Sequence, residues 1–181
     1  MIPGEPRDAW DRPLPAHPIV MVMGVAGSGK TTVGRLVAEE LDWDFADADQ
    51  FHPESNIAKM ASGQELTDLD REPWLHKIRG WIDEHREFGT PGVVTCSALR
   101  RIYREELTEG RPEVLPVFLD GDRDLIMSRM SERIGHFFKP EMLDGQFRVL
   151  ERPEPDEHIL VLPTAWSVED LVSDITSAVR P

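Results

Sequence analysis

The chain has 181 residues, 40% of them hydrophobic and 30% charged, with a formal net charge of -14. That length and balance fit one soluble domain around a single core, and the acidic excess excludes a nucleic-acid-binding surface, which needs basic charge to displace counterions. The single Cys96 excludes an intramolecular disulfide and fits a reducing, cytoplasmic setting, and no apolar run is long enough to span a bilayer.

Residues 1–18 carry Pro3, Pro6, Pro13, Pro15 and Pro18 among charges and read as a loosely attached arm, neither signal nor transit peptide. Ile19–Met23 is a short apolar run, as expected of a buried strand. Lys30–Leu41 has helical spacing, with Val33, Leu36, Val37 and Leu41 on one face. A second strand is predicted near Asp44–Ala48 and a short helix at Asn56–Met60, with a turn at Gly63. Pro73 suits a first helical turn, followed by an apolar stripe of Trp74, Leu75, Ile78, Trp81 and Ile82 that belongs to the core. Strand three is Val93–Ser97, a charged helix Ala98–Glu109, and strand four Val114–Leu119. Asp122 can cap a helix bearing Leu125, Ile126 and Met130, and another helix runs to about Leu150. Ile159–Leu162 is strand five, and Ser167 with Asp170 forms a capping-box pattern before a last helix. This alternation predicts an α/β fold, a five-stranded parallel sheet with helices on both faces.

Between strand one and its helix lies Gly24-Val25-Ala26-Gly27-Ser28-Gly29-Lys30-Thr31, which fits the phosphate-loop pattern G-x-x-x-x-G-K-[ST]. Glycines let backbone N–H groups converge on phosphate oxygens, and the helix start adds partial positive charge. Lys30 then reaches the β- and γ-phosphates, and the Thr31 hydroxyl takes a Mg²⁺ position. Guanine-recognition and switch motifs are missing, which lowers a GTPase reading. Asp47 and Asp49 stand two apart at the end of the second strand, so both carboxylates are expected on one side, facing the phosphates. One can serve the Mg²⁺ shell while the other accepts a proton from an attacking hydroxyl. A solvated acidic strand end is the plain alternative.

Three blocks narrow the reading. Asp47-Ala48-Asp49-Gln50-Phe51-His52-Pro53 runs on through Asn56–Gly63 to Leu66-Thr67-Asp68-Leu69-Asp70-Arg71-Glu72-Pro73-Trp74-Leu75. Cys96–Arg104 forms a second block, and Gly135-His136-Phe137-Phe138-Lys139, with Met142-Leu143 and Gln146-Phe147 beyond it, a third. Over about residues 19–165 the chain resembles the thermosensitive-type gluconokinases, small P-loop kinases that phosphorylate D-gluconate. The resemblance implies a three-layer P-loop NTPase fold comprising one kinase domain over 19–181, an acceptor-binding segment at about 50–90 and a lid at about 131–147. It implies that Gly24, Val25, Ala26, Gly27, Ser28, Gly29, Lys30, Thr31 and Thr32 hold ATP, with Arg129 and Arg133 neutralising charge from the lid side. Asp49 would be the base, Asp47 would join Thr31 at the Mg²⁺, and Lys30, Asp49 and Arg133 would be the catalytic set. His52, Ser97 and Arg100 or Arg101 would bind gluconate beside Asp49, an arginine there gripping the carboxylate bidentately. A homodimer is also implied.

Surface salt bridges are the plain alternative for the arginines, and a histidine packed against Pro53 for His52. Cys96 reads as a buried strand thiol. Shikimate kinases share an Asp-x-Asp after strand two but carry a glycine triplet where this chain has Ser97-Ala98-Leu99. Another small-molecule kinase of this fold, or a nucleotide-binding regulator without transfer activity, remain the other two readings.

Overall fold

The computed structural model describes residues 12–13, 15–132 and 140–180. Strands β1 (Ile19–Met23), β2 (Asp44–Asp47), β3 (Gly92–Thr95), β4 (Val114–Asp120) and β5 (Leu160–Pro163) form one sheet in the order β2-β3-β1-β4-β5. Every neighbouring pair is parallel, with Val20 opposite Val93 on one side and Leu115 on the other. Helices α1 (Lys30–Leu41), α2 (Glu54–Ala61), α3 (Asp68–Phe88), α4 (Arg101–Thr108), α5 (Arg123–Ser131), α6 (Pro140–Val149) and α7 (Val168–Val179) complete the fold.

The pleat of β1 divides the core. Ile19, Met21 and Met23 pack with Trp74, Ile78 and Ile82 of α3 and Leu107 of α4. Val20 and Val22 face the other way, into Val33 and Val37 of α1 and Leu171 and Ile175 of α7. All five β1 side chains are buried, which is why the strand reads as a continuous apolar run. Burying each large apolar side chain contributes roughly 1.5–3 kcal/mol, so these two layers supply most of the folding drive. A third, smaller cluster joins Val25, Leu99, Ile126 and Leu143 at the carboxyl end of the sheet. There β1 turns one way in the strand order and β3 the other, the crevice where ligands bind in open parallel sheets.

Several predicted boundaries are corrected. α3 begins at Asp68, ahead of Pro73, which sits inside the helix. Thr67 decides the start: its Oγ1 accepts from the Asp70 N–H at 3.1 Å, and Asp70 Oδ2 accepts from the Thr67 N–H at 2.8 Å. This reciprocal cap outweighs the one helical bond that Pro73 cannot donate. The helix predicted from Ala98 begins only at Arg101, because Ala98 takes a left-handed φ of 41° and breaks the run. β3 ends at Thr95, which leaves Ser97–Arg100 as a loop. Asp122 caps α5 through the Leu125 N–H, and Ser167 caps α7 through the Asp170 N–H, as the spacing predicted. Most of the Pro-rich arm and the Arg133–Lys139 stretch, with the core of the expected lid, lie outside the described residues.

Candidate active site

The phosphate loop follows β1 at the sheet crevice. Gly24 takes a φ of 144°, and a Cβ there would meet Ser28 Oγ at 2.8 Å and the Leu119 carbonyl at 3.0 Å. Gly29 caps α1 with a φ of 98°, a conformation that aims the first helix N–H groups into the loop and that a side chain would strain. Val25 is buried against Leu99 and Ile126, whereas Ala26 and Gly27 are half-buried and Thr31 and Thr32 exposed. Ser28 Oγ is buried with no hydrogen-bond partner among the described residues. The loop is tied to the acceptor side by the Gly24 N–H, which donates to the Ser97 carbonyl at 3.3 Å.

Lys30 reaches back across the loop and donates from Nζ to the Val25 carbonyl at 3.0 Å. Burial pushes its pKa down, and the charges of Asp49, Cys96 and Asp47 work against that shift. An ammonium poised in a polar, partly desolvated cradle suits transient pairing with phosphate oxygens. Burial raises the Cys96 thiol to about 12, so it is no nucleophile.

Asp47 and Asp49 do meet at this place, but not by strand alternation. β2 ends at Asp47, and Asp49 lies in a 3₁₀ turn over Ala48–Phe51. Asp47 Oδ1 caps that turn by accepting the Asp49 N–H at 3.0 Å, while its Oδ2 accepts from Thr31 Oγ1 at 3.2 Å. Asp47 is therefore occupied at both oxygens, and Asp49 is exposed at the cleft. Thr31 and Asp47 supply two hard oxygen donors beside the phosphate loop, a set that fits Mg²⁺ bound mainly by phosphates and water. No cluster of three acidic, histidine or cysteine side chains is placed to cage a metal among the described residues.

Trp74 organises the acceptor side. Its Nε1 donates to the Ala48 carbonyl at 2.7 Å, which fixes the turn carrying Asp49. Its ring stacks on His52 at 4.6 Å with an interplanar angle of 7°. Asn56 Nδ2 lies 3.3 Å from His52 Nδ1 and donates to the Asp70 carbonyl at 2.8 Å. With that amide donating, His52 Nδ1 is the acceptor and Nε2 carries the proton. Burial lowers the His52 pKa, Asp49 opposes the shift and Arg71 adds to it, so the ring is neutral and donates from Nε2 near pH 7.

Arg71 is a functional candidate absent from the sequence-derived set. It is half-buried, donates to the Leu66 carbonyl at 2.6 Å and to the Tyr103 hydroxyl at 3.4 Å, and lies 5.6 Å from the Tyr103 ring centroid. Arg100 flanks the same ring at 5.7 Å and donates to both Asp68 oxygens at 2.9 and 2.7 Å. Asp68 also accepts the Tyr103 hydroxyl. Arg101 is engaged by Glu105 at 2.8 Å and by Asp156 at 3.2 and 2.8 Å. Ser97 is half-buried at the crevice.

The loop bearing Ser97 is held from below by Arg104. This side chain and its partner Glu157 are 2% and 5% exposed, with Nε to Oε2 at 2.7 Å and Nη2 to Oε1 at 2.9 Å. Arg104 Nη1 also donates to the Ala98 and Leu99 carbonyls. Removing one partner of such a pair costs about 3–5 kcal/mol, because the other charge is left buried. Arg129 donates to the Thr164 carbonyl, linking α5 to the segment after β5. Arg133 lies outside the described residues.

One sequence signal could have found Arg71 and Arg104. Arg71 is spaced three and four residues from Trp74 and Leu75, and Arg104 three from Leu107, so each arginine falls on the buried face of its helix.

Comparison with known proteins agrees with this geometry. A family model described as shikimate kinase matches residues 26–152. The thermoresistant gluconokinase of Escherichia coli is 41% identical over 165 residues, covering 91% of this chain and 94% of its own. Two crystal structures superpose closely. An unliganded sugar kinase from Janibacter has a TM-score of 0.83 at 45% identity, covering 89% of this chain and 93% of its own. A gluconokinase from Sinorhizobium meliloti has a TM-score of 0.80 at 38% identity, covering 92% and 93%. Likeness of this degree spans most of the chain, which belongs to the gluconokinase family, a branch of the small P-loop kinases.

Proposed function

We propose that the protein transfers the γ-phosphoryl group of ATP to the 6-hydroxyl of D-gluconate, giving 6-phospho-D-gluconate and ADP. The observation that carries this reading is Asp47, which accepts from Thr31 of the phosphate loop with one oxygen and from the Asp49 N–H with the other, and so holds the exposed Asp49 beside that loop. A phosphate loop and an exposed carboxylate are thereby linked, and Arg71 and Arg100 flank the Tyr103 ring on the acceptor side. The relatives named above as gluconokinases support gluconate as the acceptor.

The loop from Gly24 to Thr32 cradles the phosphates through those backbone N–H groups not bonded within the protein, the Gly24 and Ala26 amides being held by Ser97 and Gln146, and Lys30 follows charge onto the transferred group. Thr31 and Asp47 would hold Mg²⁺, which would neutralise phosphate charge. Asp49 accepts the proton from the attacking hydroxyl and orients it in line. His52 donates from Nε2 to a hydroxyl of the acceptor, beside Ser97. Arg71 and Arg100 answer the gluconate carboxylate, and their planar forks suit it bidentately. Arg100 is paired with Asp68 and Arg101 with Glu105 and Asp156, so either must exchange a carboxylate partner to bind gluconate, whereas Arg71 has no such partner among the described residues. Arg129, in α5, and Arg133, outside the described residues, would complete the charge balance. Transfer needs little covalent chemistry from the protein, and positioning with charge neutralisation dominates.

A coupled ADP-release assay with gluconate, shikimate and nucleoside monophosphates tests the reading. Gluconate-dependent release is expected, and its absence with intact ATP binding would leave a regulator without transfer activity. The same reading includes a homodimer in the cytoplasm. Exposed Leu69 and Phe88 on α3 and Ile102 on α4 are apolar side chains that an interface could cover. A monomer mass by light scattering at assay concentration would remove the dimer. Among the described residues no helix is long and apolar enough to cross a membrane.

A further inference from the structure

Gln146 of α6 is a polar side chain on an apolar helix face. Leu143, one turn earlier, is fully buried with Val25 of the phosphate loop and Leu99 of the acceptor loop, and Phe147 and Leu150 pack against the same cluster. Gln146 itself is half-buried, and its Oε1 accepts the Ala26 N–H at 2.7 Å. Ala26 lies inside the phosphate loop, so a side chain 120 residues away caps one of the loop's own amides. A backbone N–H can only donate, which fixes the amide with Oε1 toward the loop.

A few residues on, the same segment grips the acceptor loop. The Glu151 N–H donates to the Leu99 carbonyl at 2.8 Å, and Glu151 Oε2 accepts the Arg101 N–H at 2.7 Å. Glu157 then carries Arg104, whose Nη1 holds the Ala98 and Leu99 carbonyls. The stretch from Gln146 to Glu157 thus bonds to both loops that must present the reacting atoms to each other.

We propose that Gln146 is a positioning residue of the transfer, its Oε1 bond to Ala26 setting the phosphate loop against the acceptor loop. The inference rests on the kinase reading above. In-line transfer is sensitive to the separation of phosphorus and acceptor oxygen, and a displacement near 1 Å can cost about a hundredfold in rate. Neither Oε1 nor the Ala26 amide needs to touch substrate for this effect.

Gln146→Met keeps the length and apolar contacts but removes the acceptor. Gln146→Glu restores an acceptor oxygen for Ala26. Gln146→Met should lower kcat about tenfold to a hundredfold, with KM for ATP and gluconate nearly unchanged and an unaltered melting temperature. Gln146→Glu should recover most of that kcat, although its charge beside the phosphates raises KM for ATP. Amide hydrogen exchange provides a readout independent of turnover: the Ala26 N–H should exchange faster in Gln146→Met and be protected again in Gln146→Glu. Wild-type kcat in Gln146→Met, or equal loss in both variants, would overturn the proposal, as would an unchanged Ala26 exchange rate. If the wild-type protein releases no ADP with gluconate, the acceptor assignment fails, while the exchange experiment still decides whether Gln146 holds the loop.

Discussion

The phosphate half of the cleft is one run of chain, Gly24 to Thr32, offering mainly backbone N–H groups, whereas the acceptor half gathers side chains from a 3₁₀ turn and from α3 and α4. In the first half shape comes from glycines with positive φ and from a helix start. In the second it comes from side chains holding side chains: Trp74 under Asp49 and His52, Tyr103 between Arg71 and Arg100, and Arg104 beneath the loop of Ser97. Backbone recognition suits a ligand shared by many enzymes. Side-chain recognition can be altered one residue at a time, so on the proposed reading the choice of acceptor would lie in the second half.

Substitutions can break this division where the two halves meet. Asp49→Asn should retain ATP affinity and cut transfer about a hundredfold to ten-thousandfold, as loss of a general base does. Wild-type turnover would take Asp49 out of that role. Lys30→Met should lower kcat about a hundredfold to a thousandfold and weaken ATP, with gluconate binding spared. Equal weakening of both ligands by calorimetry would show that the halves are not separable. Arg71→Met should raise KM for gluconate about tenfold to a hundredfold, the range of one charge-assisted contact, without change for ATP. Arg101→Ala is the matched comparison and should shift gluconate KM far less; the reverse order would exchange their assignments.

The smallest effect concerns stability. Lys59 at 2.6 Å and the Thr67 cap hold the Asp70 carboxyl at about 2, below its ordinary 3.8. A depressed carboxylate stabilises the fold fully above the unfolded value and loses that contribution as pH falls from 3.8 toward 2. Asp70→Asn should therefore lower the melting temperature at neutral pH and flatten its decline across that acid window. The change should be modest, since the pair is partly solvated. A decline as steep as that of the native chain would assign the acid sensitivity to other groups.

Much of the phosphate half is legible before folding, because spacing alone brings its groups together. Ile19–Met23 and Lys30–Leu41 match their predicted limits, since a fully buried strand and a one-faced helix leave periodic signals. The acceptor half is legible only as a set of residues. Asp47 and Asp49 are brought together, but by a 3₁₀ turn that Asp47 caps and not by the expected pleat. α3 starts earlier than Pro73 indicates, because a capping box competes with a proline preference and wins. Arg71, Arg104 and Gln146 stand within the motif blocks, but their roles are not legible there, because each depends on a partner far away in the chain.

Sequence alone determined the parallel α/β class, the nucleotide loop and, through its resemblance, the kinase family, since these depend on local spacing and contiguous motifs. Tertiary structure decided the strand order, the pairing of Arg100 with Asp68 and of Arg101 with Glu105 and Asp156, and the bond from Gln146 to Ala26. Those depend on distances between residues far apart in the chain, and such distances are set when the helices dock and the sheet's carboxyl edge brings their loops together.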